Sequence, residues 1–412
     1  MSRRAFRPIE GGVCAPVGFR AAGVAAGIKK NGKLDLALVV SERPCAWAGT
    51  FTTNAVKAAP VLFNLALPRA RPVGGIVANS GNANACTGAR GLRDAEQMSA
   101  RARQIAGKDA APFLVASTGR IGDLLPMAKI GDGIRAAADR LVREDLACAR
   151  AIMTTDTFPK RAAAEICVAG RAVRLGGMTK GAGMICPGMS RTGRRPAPHA
   201  TMLAFLTTDA DISSALLQRC LDLAVARSFN RISVDGDMST NDTVAILANG
   251  ASGAPALRAG ARALADFQEA LDDVALRLAR MIVKDGEGIT KVVTLIVEGA
   301  ASRADAERAA RVIGNSFLVK TSWCGEDPNW GRLFDAAGYS GARVNPANLS
   351  ARYDGVPLLL RSRVVAANVG RVRAILKKPA FTLRCGLGAG RFSSVFYTTD
   401  LTEKTVELNK GE

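Results

Sequence analysis

Residues Lys180 to Asp209 read KGAGMICPGMSRTGRRPAPHATMLAFLTTD, and the rest of the chain is organised around them. Gly181 and Gly183 open the stretch with a turn whose backbone can take positive φ and approach another group closely. Met202 to Leu206 close it with an apolar run that must be buried. Between them stands Ala200-Thr201, a small residue followed by a hydroxyl at the mouth of the buried run. A hydroxyl so placed, near Lys180 and a backbone-rich turn, suits acyl transfer. A threonine at the start of a buried element also serves simply as a cap.

Composition narrows the setting. With 412 residues, 48% hydrophobic and 22% charged, the chain can bury the core of a multidomain globular protein. No apolar run reaches the roughly 18 to 20 residues needed to span a bilayer. MSRRAFRPIEGG has arginines with no hydrophobic stretch behind them, which argues against a secretory signal and for a cytoplasmic protein. Nine cysteines are scattered without a Cys-x-x-Cys pair, as expected of reduced thiols rather than a disulfide framework or zinc site. The single histidine, His199, argues against His-based metal sites and a Ser-His-Asp triad. The net charge of +20 can draw in anions, but the arginines are spread and aromatics are few. Only Arg191 to Pro196, RTGRRP, looks like a basic patch, so a solvated surface is expected rather than a nucleic-acid groove.

Taken in order, the chain opens with short strands, with apolar runs at Leu36 to Val40 and Ala46 to Phe51 punctuated by glycine and proline. Val73 to Ala78 reads as a buried strand running into NSGNANACTGARG, a turn rich in Asn79, Asn82 and Asn84. Leu92 to Ala106 has helical periodicity, and Val115 to Met127 reads as a strand ending in a Thr-Gly turn. A long helix is expected over Ile130 to Ala149, and IMTTDTFPK follows at Ile152 to Lys160. Beyond the central stretch, Asp211 to Arg227 reads as a helix with an aspartate cap. SFNRISVDGDMSTNDTVAILANG groups Asp235, Asp237, Asn241 and Asp242 without the spacing or terminal glutamate of a calcium loop. Leu264 to Ile282 is amphipathic and ends in KDGEGITK. After it the pattern changes to strand, helix, strand, placing a domain boundary near Val293 to Gly299: residues 1–295, then a smaller α/β domain over 296–412.

KGAGMICP followed by ATMLAFLTTDA resembles the self-cleaving core of the ornithine acetyltransferase family, the bifunctional glutamate N-acetyltransferases. GGVCAP, NSGNANACTG, VASTGRIGD, IMTTDTFPK, VDGDMSTNDT, KDGEG and DPNWGR resemble further family motifs, in order along essentially the whole chain. The resemblance implies an α/β sandwich of layered sheets and helices, shared with self-cleaving aminopeptidases of the DmpA kind. It implies cleavage between Ala200 and Thr201 into fragments 1–200 and 201–412, with Thr201 as the freed nucleophile. Thr118 and Gly119 take the oxyanion-hole positions. Thr154, Lys180, Thr201, Glu287 and Asn409 take the substrate-binding positions.

The activity implied is acetyl transfer from N-acetylornithine to glutamate through a threonyl acyl-enzyme, with no metal or organic cofactor. Acetyl-CoA is a further candidate donor, and the fragments are expected to pair as α2β2. Three features depart from the family pattern: Arg120 beside the oxyanion position, the inserted SRTGRRPAPH at Ser190 to His199, and a tail ending Lys410, Gly411, Glu412 where the family ends on a small hydroxyl residue. The insert, without apolar pattern, is expected to be a solvated surface excursion. Alternatives are the same chemistry on another amino acid or amine, an aminopeptidase or amidase of the same fold, and a non-catalytic binding protein with Thr201 uncleaved.

Overall fold

The computed structural model describes residues 5–105, 107, 111–194 and 202–410. The chain divides into two compact units, one of residues 5–230 and 237–282, the other of 231–236 and 283–410. The division falls between Ile282 and Val283, where sequence places a boundary near residue 295.

The first unit comprises β1 (Phe6–Ile9), β2 (Phe19–Val24), β3 (Leu36–Thr52), α1 (Ala59–Ala66), β4 (Val73–Asn82), α2 (Gly88–Ile105), β5 (Phe113–Arg120), α3 (Met127–Ala138), α4 (Leu146–Ala151), β6 (Lys160–Val168), β7 (Arg171–Lys180), β8 (Met189–Ser190), β9 (Leu203–Thr208), α5 (Ser214–Arg227), β10 (Thr243–Ala248) and α6 (Arg262–Lys284). The two apolar runs expected as separate strands are one strand, β3, of 17 residues. Its register shifts between Val40 and Cys45, where Glu42, Arg43 and Pro44 are exposed and Pro44 has no N–H to give a ladder. The first half of β3 pairs with β2 and β4, and β4 runs parallel to β5. Its second half pairs with β10, and from there the order is β10-β9-β7-β6-β1.

The strand halves on either side of the shift share one core. Val39, Ile76, Leu114 and Ala116 pack in the same cluster as Trp47, Leu203, Phe205 and Leu247. On the other face of β4 and β5, Val77 and Phe113 pack with Met98 of α2 and Ile134 of α3. Burying each such large side chain contributes roughly 1.5 to 3 kcal/mol. Beyond β3 and β7 lie α5 and α6. Gln218 of α5 accepts from the Gly49 amide (3.1 Å), and a Cβ on Gly177 of β7 would lie 2.9 Å from Leu278 of α6. The result is the layered α/β sandwich expected: helices, sheet, sheet, helices.

Two helix expectations are corrected. Residues 130–149 are not one helix but α3 and α4, separated at 139–145. Val142 and Ala21 exchange backbone hydrogen bonds of 2.9 and 3.1 Å there, and Asp145 accepts from the Cys14 amide (2.8 Å) and pairs with Arg161 (2.6 Å). These tertiary partners outweigh helical periodicity in the segment. The cap of α5 is Ser213, whose hydroxyl accepts from the Leu216 amide; Asp211 lies outside the helix.

The second unit comprises β11 (Val292–Ala300), α7 (Arg303–Asn315), α8 (Phe317–Cys324), α9 (Trp330–Gly338), β12 (Ser350–Tyr353), β13 (Val356–Leu360), β14 (Arg363–Val364), α10 (Val369–Leu376), β15 (Ala380–Gly386), β16 (Phe392–Thr399) and α11 (Glu403–Leu408). Its sheet has the order β14-β13-β12-β15-β11-β16. Leu295, Ile313, Trp323, Leu333 and Leu383 lie in its core. Among the described residues, no helix is long and apolar enough to cross a membrane.

Candidate active site

Lys180 is the last residue of β7, opposite Leu203 at the start of β9. Its side chain is buried, and its ammonium donates to Thr154 Oγ1 at 2.7 Å and Thr118 Oγ1 at 3.3 Å. Thr118, accepting from an ammonium, keeps its own hydroxyl proton to donate elsewhere. One cation thus joins the end of β5 to the loop after α4.

Asp156 holds that loop in place. One carboxylate oxygen accepts from Lys160 (2.6 Å) and the Gly181 amide (2.7 Å), the other from the Thr154 amide (3.0 Å), and Lys180 stands 4.0 Å away. Burial pushes this carboxyl up, but Lys180, Lys160 and the Gly181 N–H together hold it at about 2. It is therefore ionised at neutral pH, and its hydrogen bonds offset the cost of burying charge. A further lysine, Lys29, donates to the carbonyls of Met153 (2.7 Å) and Leu34 (2.8 Å). Burial lowers its pKa to about 8, with Asp35 opposing and the Lys180 charge adding to the depression.

Thr118 is buried at the end of β5, and Gly119 follows with φ of 128°. Gly119 lies opposite Gly81 of β4, and its lack of a Cβ lets the strands approach, whereas a Cβ on Gly81 would meet Lys29 and Ile28. Sequence reads a turn from Asn79 on, but β4 runs through Asn82, and the asparagines of this stretch are part of the framework. Asn79 accepts from the Ser117 hydroxyl (2.7 Å) and donates to the Asn82 carbonyl (2.8 Å), while Asn84 donates to the Gly91 carbonyl (2.9 Å). Arg120 is exposed and pairs with Asp123 at 3.0 Å.

Thr118, Gly119, Thr154 and Lys180 all lie in the first unit, and hydrogen bonds to Lys180 bring the two threonines together. Glu287 and Asn409 lie in the second unit, where Thr405 links them. The Thr405 hydroxyl donates to the Glu287 carbonyl (3.1 Å), and the Asn409 amide donates to the Thr405 carbonyl (2.8 Å). Ala200 and Thr201 lie outside the described residues; Met202, the next residue, is buried and starts the run into β9.

The insert is described from Ser190 to Arg194; Arg191, Thr192 and Arg194 are exposed, and the segment is anchored at Ser190 and Gly193. Ser190 pairs with Phe51 of β3, the Ser190 hydroxyl donates to the Arg194 carbonyl (2.9 Å), and Gly193 is buried with φ of 63°. A Cβ on Gly193 would lie 2.9 Å from Lys57 Cε, so this turn is seated on the protein.

Sequence reasoning missed Asp156 and Lys29. Asp156 lies in view within TTDT but reads there as a strand edge or cap, and Lys29 carries no signal because its partners are backbone carbonyls, one of them at Met153, far along the chain.

A buried lysine bridging two threonine hydroxyls, beside a strand that begins just after Thr201, is an arrangement in an α/β protein that suits acyl transfer. A profile of the ArgJ family matches residues 20–411, and the chain belongs to that family. It is 45% identical over 404 residues to the arginine biosynthesis bifunctional protein ArgJ of Symbiobacterium thermophilum, covering 97% of this chain and 98% of that one. It is 43% identical over 416 residues to the glutamate N-acetyltransferase of Methanocaldococcus jannaschii, covering 98% and 99%. Among solved structures, ArgJ of Bacillus halodurans is 37% identical with a TM-score of 0.50, over 52% of this chain and all of that one.

Proposed function

We propose that this chain is a self-processing N-acyltransferase that moves acetyl from N-acetylornithine to glutamate through Thr201. The observation that carries the reading is the Lys180 ammonium shared by the Thr118 and Thr154 hydroxyls. Family membership and full-length relatives named as ArgJ and glutamate N-acetyltransferase support the substrates.

In processing, the Thr201 hydroxyl attacks the Ala200 carbonyl, the acyl group moves from nitrogen to oxygen, and water hydrolyses the ester. The freed α-amine, with an ordinary pKa of about 7.7 to 8.0, acts as general base near neutral pH, so no histidine is required. In transfer, Thr201 Oγ attacks the acetyl carbonyl carbon of N-acetylornithine, and its proton passes to the α-amine. The oxyanion receives the Thr118 hydroxyl and the Gly119 N–H. The C–N bond breaks, ornithine leaves with the proton, and the acetyl ester remains on Thr201. The amine of glutamate then attacks that ester by the same steps in reverse, giving N-acetylglutamate. Lys180 and Glu287 meet substrate carboxylate and amine, with Thr154 and Asn409 completing the contacts. Acetyl-CoA, as a second donor, would load the same threonine, and the fragments would assemble as α2β2.

The test is to incubate the purified protein with N-acetylornithine, with and without glutamate. Mass spectrometry should find fragment 201–412 heavier by one acetyl group without glutamate, and N-acetylglutamate should form when it is added. Hydrolysis to acetate and ornithine regardless of glutamate would overturn transfer in favour of an amidase.

A further inference from the structure

We infer that Asn241 and Asp242 are positioning residues that set the separation between the strand carrying the oxyanion donors and the strand that begins beside Thr201. The inference rests on the acyl-threonine reading above. Both side chains are buried just before β10, and their hydrogen bonds reach different strands.

Asn241 grips the oxyanion side. Its carboxamide nitrogen donates to the Ser117 carbonyl at 2.8 Å and to the Ala83 carbonyl at 2.7 Å, and its oxygen accepts from the Thr240 hydroxyl at 2.6 Å. Only an amide supplies two N–H groups from a neutral, planar head, which two neighbouring carbonyls require. The Ser117 carbonyl belongs to the planar peptide that ends at the Thr118 Cα, so holding it fixes the point from which the Thr118 side chain projects.

Asp242 grips the nucleophile side. Its carboxylate accepts from the Met202 amide at 2.5 Å, one residue past Thr201. The backbone reinforces this, because the Thr243 amide donates to the Met202 carbonyl (3.1 Å) and the Asp242 carbonyl accepts from Thr52 of β3 (2.9 Å). Two adjacent residues therefore hold Ser117, next to Thr118, and Met202, next in sequence to Thr201. A misplacement of the order of 1 Å between nucleophile and oxyanion donors can cost about a hundredfold in rate.

The test is a double-mutant cycle between Asn241→Ala and Thr118→Ala on the processed enzyme, with thermal melting of each variant. Asn241→Ala should lower kcat roughly tenfold to a hundredfold and change KM by less than about threefold. Added to Thr118→Ala, it should lower kcat little further, because its effect runs through Thr118. Asn241→Asp, of the same shape but with no N–H to give, should match or exceed the Ala variant. If losses in kcat multiply, or if Asn241→Ala stays within twofold, the inference is overturned while the function stands. If Thr118→Ala itself is without effect, the underlying reading fails first.

Should Asn241→Ala melt below the assay temperature, Asp242 decides. Asp242→Asn keeps an oxygen for the Met202 amide and should process further at a fixed time than Asp242→Ala, read on a denaturing gel. Equal processing by the two overturns the inference.

Discussion

Gly119 faces Gly81 so closely that a Cβ on Gly119 would lie 2.4 Å from the Gly81 carbonyl carbon and 2.5 Å from the Asn82 nitrogen. Both neighbours are backbone, so no side-chain rotation relieves the overlap. Gly119 also has φ of 128°, a region costly for residues with a side chain. Gly119→Ala should therefore destabilise by about 2 to 3 kcal/mol and abolish most transfer. Thermal melting alongside turnover checks this, and a variant with unchanged stability and activity would show the two strands to be further apart.

Thr118→Ala removes the hydroxyl that accepts from Lys180 and would donate to the oxyanion. Loss of one such donor typically costs about a hundredfold or more in turnover. Rates of each half-reaction should fall together, since both pass through a tetrahedral intermediate. A change within twofold would remove Thr118 from the hole.

Asp156→Asn should leave Lys160 and Lys180 buried without their carboxylate. Breaking a buried pair in this way costs roughly 3 to 5 kcal/mol. The pH dependence has a definite sign. The carboxyl is depressed from 3.8 to about 2, so its contribution is fully present above 3.8 and is lost as pH falls through about 2. Wild-type stability should decline over that window more steeply than that of the variant, as measured by denaturant titration at successive pH values. Parallel curves would mean that the carboxylate contributes nothing specific.

Thr201→Ala should run as one intact chain on a denaturing gel where the wild type runs as fragments of about 200 and 212 residues. It should also form no acetylated protein from N-acetylornithine. An intact wild-type chain with full transfer activity would refute processing at this bond.

The helices and strands with strong periodicity were legible, including α2, α6, β4 and β11. What sequence could not show were the places where one segment answers to another far away. Val142 turns away from helix because Ala21 of β2 supplies its hydrogen bonds, and β3 runs through SERP because different partners flank its two halves. The same limit applied at the site. Thr118, Gly119 and Thr154 are site candidates only through motif resemblance, since residue chemistry alone reads them as a strand-end turn and a strand edge or cap; Lys180 also stands out by its place beside the Ala200-Thr201 stretch. Asp156 is hidden because its significance lies in partners at 160 and 181; the stretch holding Asn241 reads as structural support for the site through its motif, but its carbonyl partners at 83 and 117 carry no sequence signal.

The position of β9 has a consequence for the life history of the molecule. It lies hydrogen-bonded between β7 and β10, and β10 is bonded in turn to β3. Before the cut, folding is a one-chain event whose midpoint is independent of concentration. After the proposed cut at Ala200–Thr201, β9 and β10 would belong to one polypeptide and β7 and β3 to another, interleaved in a single sheet. Melting the mature protein then releases two chains that must find each other again, so recovery should depend on protein concentration where the uncut Thr201→Ala chain does not. On that reading the uncut chain is the form that would fold without a partner fragment.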